Sequence, residues 1–431
     1  MRIILRKKSF CRKKLFCLRM YVFFSTFAPQ IMFLYFWILR LAAVLGHKKA
    51  RKLVKGQKNA LIELEQWAST LSGCEVLWVH AASVGEFEQA RPIIERLYGE
   101  LPFRKILVTF FSPSGYELRK NYAMLDKVTY LPFATRRNAK RLVNLLPLEA
   151  AVMVKYEFWP AYLNALKNKK VPTYLISAIF REKQLFFRPW GKSYLKLLYA
   201  FERVFVQDEA SAVLLQKHGV DRVVVAGDTR FDRVLEVRKQ AKQLPIVERF
   251  VANAGRVIVA GSTWPKDEEF FARYIRERKD VKLVLVPHEI DEEHLHNIYE
   301  CFEGRYVRYT ESIEKKVHDC RVLLVDTIGV LSSIYRYGDV AYIGGGFGVG
   351  IHNTLEAAVY GMPVVFGPIW QKFREAKGLL DAGAAFTVKN YEEFAAALDM
   401  AFAKQETMGQ AATAYVKNEL GATEKIYRYI F

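Results

Sequence analysis

The run Gly344-Gly345-Gly346-Phe347-Gly348-Val349-Gly350 is followed at once by Ile351-His352-Asn353-Thr354-Leu355-Glu356. An apolar run, Val340-Ala341-Tyr342-Ile343, leads in and reads as a buried strand, and a helical pattern from Leu355 to Tyr360 leads out. Strand, glycine loop and helix in that order present backbone N–H groups and a helix N-terminus, which suits a phosphate. The ligand class this suggests is a nucleotide or a nucleotide-activated substrate. The spacing is not G-x-G-x-x-G, and the Lys-Ser/Thr of a P-loop is missing. Asn353 and Glu356 are also spaced as an N-cap and its N3 acid, so capping alone can account for them. A second candidate is Glu86, which follows Ser83-Val84-Gly85 after the apolar run Val76-Leu77-Trp78-Val79. On such a strand-to-helix turn a carboxylate can project into a cleft, or it can be a first-turn acid favoured by the helix dipole.

The elements that must carry these residues alternate along the chain. Strands are expected at Val76–Val79, Ile106–Phe110, Ala150–Val154, Thr173–Ile176, Arg203–Val206 and Val223–Val225, with helices such as Phe87–Tyr98 and Trp159–Lys167 between them. The rhythm restarts after residue 230 with Arg256–Ala260, the helix Asp267–Arg278, Val281–Val286, Val322–Val325, Ala341–Ile343 and Val364–Phe366. This is the pattern of parallel sheets covered by helices on both faces. Two doubly wound halves, with a boundary near residues 228–250, imply a cleft, and ligands of such sheets sit at the carboxyl ends of strands. Ser83 to Glu86, Glu157, Ser262-Thr263, Pro287-His288 and the glycine loop all fall at such ends.

The chain has 431 residues, 52% of them hydrophobic and 26% charged, which is a globular composition. Its net charge of +20 invites a nucleic-acid reading, but residues 1–60 hold 15 Lys/Arg and no acid, while the remainder holds 50 basic and 45 acidic residues. The basicity belongs to the N-terminus, not to a broad groove-binding face, so no nucleic-acid partner is expected. Cys11, Cys17, Cys74, Cys301 and Cys320 form no CxxC pair, which suits a reducing compartment without a disulfide framework. His294 and His296, near Glu292 and Glu293, read as a solvated helical face, and no metal site is expected.

Met20 to Leu39 is a window of 20 residues without a formal charge, rich in Phe, Tyr and Trp and flanked by basic residues on both sides. A helix of that length spans about 30 Å, a hydrocarbon core. Pro29 and Gln30 interrupt it, so the expectation is an uncleaved anchor or an interfacial helix attracted to anionic lipid, not a signal peptide. Met20 also reads as an alternative start.

Trp78-Val79-His80-Ala81-Ala82-Ser83-Val84-Gly85-Glu86 resembles the signature of bacterial Kdo transferases, which attach 3-deoxy-D-manno-octulosonic acid (Kdo) to the lipid A precursor. Further resemblances follow in order: Tyr156-Glu157-Phe158-Trp159-Pro160, Gly227-Asp228-Thr229-Arg230-Phe231-Asp232, Gly261-Ser262-Thr263, Asp326-Thr327-Ile328-Gly329, His352-Asn353-Thr354-Leu355-Glu356, and Phe366-Gly367-Pro368 with Phe373-Arg374-Glu375. They cover nearly the whole chain from about residue 20. The resemblance implies an α/β fold of the GT-B type, two Rossmann-like doubly wound domains with an N-terminal membrane-associated helix. It divides the chain into a basic N-terminus and anchor at 1–45, an acceptor domain at 46–230 and a donor domain at 231–431.

The same resemblance implies an inverting, metal-independent transfer from CMP-Kdo to lipid IVA or a related precursor, on the cytoplasmic side of the inner membrane, with no cofactor. Glu86 would be the general base. Glu157 and Arg230 match positions that stabilise the transition state, with Arg230 in place of the usual Lys, a planar fork in place of a point charge. The donor side would comprise Ser262, Thr263, Pro287, His288, Glu289, Ile328, Gly329, Val330, Gly346, Asn353, Thr354, Leu355 and Glu356. His288-Glu289 replaces the family's Arg-His, which removes a fixed cation from the expected phosphate site; Arg374 or a protonated His288 could compensate. The alternatives are a membrane-associated GT-B transferase using a UDP-sugar, a sugar-nucleotide epimerase of similar architecture, and a membrane-tethered nucleic-acid binder.

Overall fold

The computed structural model describes residues 29–431 apart from 102, 189–190, 312–319 and 349. The described residues divide into two compact units, those up to 233 with 420–431, and those from 234 to 419. Each carries one sheet of seven parallel strands.

In the first unit the strands are β1 (Val76–Ala81), β2 (Lys105–Phe110), β3 (Lys127–Tyr130), β4 (Leu148–Val154), β5 (Thr173–Ala178), β6 (Arg203–Val206) and β7 (Val223–Val225), in the order β3-β2-β1-β4-β5-β6-β7. β1 is buried along its whole length. A strand with helices on both faces has no solvent side, so it reads as a continuous apolar run. Alternate residues feed two cores: Trp78, Leu107, Ala151 and Leu175 on one face, Leu77, Val79, Ile106 and Val152 on the other. Strand order reverses between β1 and β4, the place where the carboxyl ends of a doubly wound sheet open a crevice.

The last helix, Ala422–Ile430, belongs to this first unit, not to the second as the sequence suggested. Ile426 and Tyr427 enter the core that holds Val79 and Phe87. The Asp232 carboxylate accepts from Gly421 N at 2.8 Å and Thr423 N at 2.7 Å, capping that helix from a distant point in the chain.

In the second unit the strands are β8 (Arg256–Thr263), β9 (Val281–Pro287), β10 (Val307–Arg308), β11 (Val322–Leu324), β12 (Val340–Ile343), β13 (Val364–Phe366) and β14 (Ala385–Thr387), in the order β10-β11-β9-β8-β12-β13-β14. The switch point here lies between β8 and β12. Phe270, Phe271, Tyr274, Tyr342 and Phe394 form the centre of the core beside it.

Residues 1–28, and with them nine of the 20 residues of the expected membrane window, lie outside the described residues. Pro29–Val44 is a helix of 16 residues, followed by the basic helix Lys48–Ala68. Among the described residues no helix is long and apolar enough to cross a membrane.

Candidate active site

The first unit gathers its acids and bases where β1 and β4 end. Ser83 is extended and precedes the helix Val84–Glu100, so Glu86 occupies the first turn and its Oε2 accepts from Ser83 N at 3.1 Å. The structure therefore gives Glu86 the capping contact as well as a place at the switch point. The residue keeps some solvent access, but protein surrounds its carboxyl. Burial pushes that carboxyl up to about 8, and the charge of Glu157 adds to the push; Lys155 and the N–H groups of Ala82 and Ser83 pull the other way.

Lys155 follows β4 with φ 62°, a left-handed conformation that a lysine adopts only where the surroundings impose it. Two residues on, Glu157 is fully buried. Its Oε2 lies 2.8 Å from His80 Nε2 and accepts from Trp159 Nε1 at 2.6 Å. Pro160 at the start of the helix Pro160–Asn168 turns the chain away immediately afterwards.

Arg230 sits beyond β7 and is held by Asp228: Nη2 to Oδ2 is 2.6 Å, and Nε to Oδ2 is 2.9 Å. Burial alone would raise the Asp228 carboxyl, but the Arg230 guanidinium and backbone N–H, with Lys155 nearby, hold it below the usual range. The cation expected to face a transition state is thus one half of an ion pair. Glu86, Lys155, Glu157, Asp228 and Arg230 form one electrostatic neighbourhood. The sequence reading had assigned Glu86, Glu157 and Arg230; it gave no role to His80, Lys155 or Asp228. A histidine inside the otherwise apolar Val76–Ala81 was the signal for the first of these.

The second unit places its candidates along the carboxyl edge of β8, β9, β11 and β12. Ser262, at a register shift in β8, has φ 55°. Thr263 is buried and its hydroxyl donates to Glu268 at 3.0 Å, so it serves the fold. Glu268 in turn holds His294, which is buried; only His296 is on the solvated face expected for both. Pro287 ends β9, and the His288 ring stacks on Trp264 at 5.1 Å and lies 4.3 Å from the His352 ring. Glu289 is half-buried beside it. Ile328 is 84% exposed on the turn after β11, where Gly329 has φ 89° and Val330 is half-buried. Arg374 is paired with Glu419 at 2.8 Å.

The glycine loop departs from expectation. Gly344 N donates to Gly261 O, Gly345 N to Asp267 Oδ2 at 3.1 Å, and Gly348 N and Gly350 N both to Gly345 O. Two of those four donors serve the loop itself and two tie it to Gly261 and Asp267. A Cβ on Gly344 would meet Ser262 O at 2.2 Å, and one on Gly346 would meet Gly367 at 2.6 Å, so these glycines permit close backbone packing. The helix that follows, Leu355–Ala358, is a single turn, too short for an appreciable dipole. Its first N–H, on Leu355, already bonds Asn353 Oδ1 at 3.1 Å, and Asn353 Nδ2 donates to Glu356 at 2.9 Å. Thr354 is buried, and its hydroxyl meets no hydrogen-bond partner among the described residues. Asp267 ties the loop to the sheet. It accepts from Tyr342 OH at 2.6 Å, Gly345 N and Trp264 N, and burial pushes it up to about 6.

Two parallel seven-stranded sheets, each with its polar residues at the switch point, define a GT-B-type glycosyltransferase architecture. Solved structures share it. A UDP-GlcNAc 2-epimerase from Neisseria meningitidis aligns over 83% of this chain and 99% of its own, with TM-score 0.60 and 15% identity. A glycosyltransferase from Rickettsia africae aligns over 83% and 98%, with TM-score 0.54 and 14% identity. At such identities the likeness is one of fold. The family comes from sequence: residues 47–233 match the family described as 3-deoxy-D-manno-octulosonic-acid transferase (kdotransferase). The 3-deoxy-D-manno-octulosonic acid transferase of Aquifex aeolicus is 30% identical over 333 residues, 75% of this chain and 85% of that protein. That of Bordetella pertussis is 27% identical over 377 residues, 81% and 85%. The chain belongs to the bacterial Kdo transferase family and is a glycosyltransferase of lipopolysaccharide biosynthesis.

Proposed function

We propose that the protein transfers Kdo from CMP-Kdo to lipid IVA or a closely related lipid A precursor, with inversion and with Glu86 as general base. The acceptor hydroxyl attacks the anomeric carbon of Kdo and Glu86 takes its proton. The bond from that carbon to the CMP phosphate oxygen breaks, and CMP leaves with the electron pair. The observation that carries this reading is the place of Glu86, in the first turn of its helix at the switch point of the first sheet; burial and the charge of Glu157 push its carboxyl up to about 8, which fits a base that must hold a proton after attack. Glu157 supports the basicity of Glu86 by its charge, and Lys155 and the Asp228–Arg230 pair supply positive groups to the same neighbourhood.

On the donor side the reading uses the carboxyl edge of the second sheet: Ser262, Pro287, His288, Glu289, Ile328 to Val330, Gly346 and Asn353 to Glu356. Thr263 contributes through Glu268 and Leu355 through its backbone. Arg374 is paired with Glu419, so His288, stacked on Trp264 and close to the His352 ring, is the residue that stands in for the family's arginine. No metal or cofactor takes part in this reading, as the family resemblance implies.

The protein acts at the cytoplasmic face of the inner membrane. Support comes from Trp37, Ile38, Leu41, Val44 and Leu45, all exposed, and from the adjacent exposed Lys48, Lys49, Arg51, Lys52 and Lys55. Apolar side chains beside a basic run suit an anionic lipid surface. A donor screen tests the assignment. Release of CMP from CMP-Kdo with lipid IVA present is the expected result, and release of UDP from a UDP-sugar would replace it with another GT-B activity.

A further inference from the structure

Behind Glu157 runs a buried chain of polar groups that the reaction as written does not use. Trp78 Nε1 donates to Thr109 Oγ1 at 2.8 Å. His80 Nδ1 lies 2.9 Å from both Thr109 Oγ1 and Thr109 O, on the strand paired with its own. His80 Nε2 faces Glu157 Oε2 at 2.8 Å and Trp159 Nε1 at 3.0 Å. His80, Thr109 and Glu157 are each fully buried.

The contacts at Nε2 set its role toward Glu157. The single indole proton of Trp159 has its shorter contact, 2.6 Å, to Glu157 Oε2. A bare Nε2 2.8 Å from a carboxylate oxygen would set two lone pairs against each other. While Glu157 is ionised, Nε2 therefore carries a proton and donates it to Oε2, however Nδ1 is shared with Thr109. One oxygen of Glu157 thus receives two donors from rigid, fully packed rings. This is the arrangement in which an outer residue fixes the orientation and charge of an inner one.

We propose that His80 is a positioning residue of the transfer: its Nε2–H fixes the Glu157 carboxylate in place beside Glu86. The effect reaches the acceptor hydroxyl through Glu157 and then Glu86. The other charged groups in this neighbourhood are Lys155 on the turn after β4 and, beyond it, Asp228 with Arg230; Tyr156 is a further titratable neighbour of Glu86. Without the imidazole, the buried Glu157 carboxylate loses a donor and is no longer held in one place. Its charge then moves from its place beside Glu86 and opposes ionisation of Glu86 less, and Glu86 becomes a weaker, misplaced base.

The inference rests on Glu86 being the base. The test is the pH profile of kcat and kcat/KM of the full chain with CMP-Kdo and lipid IVA, for wild type, His80→Leu, His80→Gln and Glu86→Gln. His80→Leu is expected to lower kcat about 10- to 100-fold, as loss of such outer partners does, with little change in KM for CMP-Kdo. The rising limb of its profile moves to lower pH. His80→Gln, whose amide N–H reaches to where Nε2 stands, restores most of kcat and the limb. Should His80→Leu not fold, Trp159→Phe removes the other donor to the same oxygen and is expected to move the limb in the same direction. A wild-type kcat and limb in His80→Leu, or an unmoved limb in Trp159→Phe, overturns the inference. Turnover retained by Glu86→Gln overturns the base assignment instead, and an inactive Glu86→Gln beside an unaffected His80→Leu overturns this inference alone.

Discussion

Glu86 and Glu157 follow β1 and β4, the adjacent parallel strands at which the order of the first sheet reverses, and the negative charge of Glu157 helps to hold Glu86 protonated. Two carboxylates made unequal by their surroundings divide the work of acid–base chemistry. Here the fully buried one takes hydrogen bonds from His80 and Trp159, and the partly exposed one is left with the raised affinity for a proton.

A pH dependence of stability follows from Glu86. Its value rises from 4.5 to about 8 on folding, chiefly through burial. The stability tied to its protonated form is fully present below the unfolded value and is lost as pH rises through about 8. Glu86→Gln, which does not titrate, should therefore gain in Tm over wild type as pH goes from 5 to 9. Thermal melts across about that range check it, and a constant difference would mean that the carboxyl is not raised.

Asp267 is expected to matter for donor binding. It holds Tyr342 OH, Gly345 N and Trp264 N together. Asp267→Ala leaves buried donors unpaired, at a cost of about 3 kcal/mol in a denaturant melt. It releases the glycine loop, so KM for CMP-Kdo rises while the pH limb of kcat stays in place.

Asp232, by contrast, should leave chemistry alone. Its carboxylate caps the helix Ala422–Ile430 through Gly421 N and Thr423 N. Asp232→Ala is expected to cost about 1 kcal/mol and to increase amide exchange in that helix, with kcat within about twofold of wild type.

The Asp228–Arg230 pair makes a further distinction. Asp228 is buried and Arg230 clasps it with Nε and Nη2. Arg230→Lys keeps the charge but not the fork, so kcat should fall about tenfold with a modest loss of stability. Asp228→Asn should destabilise more, by about 2 kcal/mol, because the guanidinium loses its counter-charge.

At the membrane, Trp37 and Leu41 are 65% and 61% exposed next to Arg40. Trp37→Asp with Leu41→Asp should weaken binding to anionic vesicles at least about tenfold in a flotation assay, while binding of soluble CMP-Kdo is unchanged. Equal flotation would place the lipid contact elsewhere.

The strands that hold these residues were legible because a parallel sheet covered on both faces demands unbroken apolar runs, as in Val322–Val325 and Ala150–Val154. Lys127–Tyr130, Val307–Arg308 and Ala385–Thr387 were not read as strands. Each forms an edge of its sheet, where a short segment with polar residues suffices. The glycine loop was legible as a loop but not in its function, since the spending of its N–H groups on Gly261, Gly345 and Asp267 depends on tertiary contacts. Glu86 and Glu157 could be named from motif strings. Their inequality could not, because it arises from burial and from His80 and Trp159, distant along the chain from Glu157 or hidden within its own motif.

The most direct measurement is turnover of CMP-Kdo with lipid IVA by Glu86→Gln at the pH optimum of the wild type, with donor binding measured in parallel. Loss of transfer by about 100-fold or more, with CMP-Kdo still bound at wild-type affinity, is the expected result for removal of a general base. Transfer at the wild-type rate would contradict it and place the base on another residue.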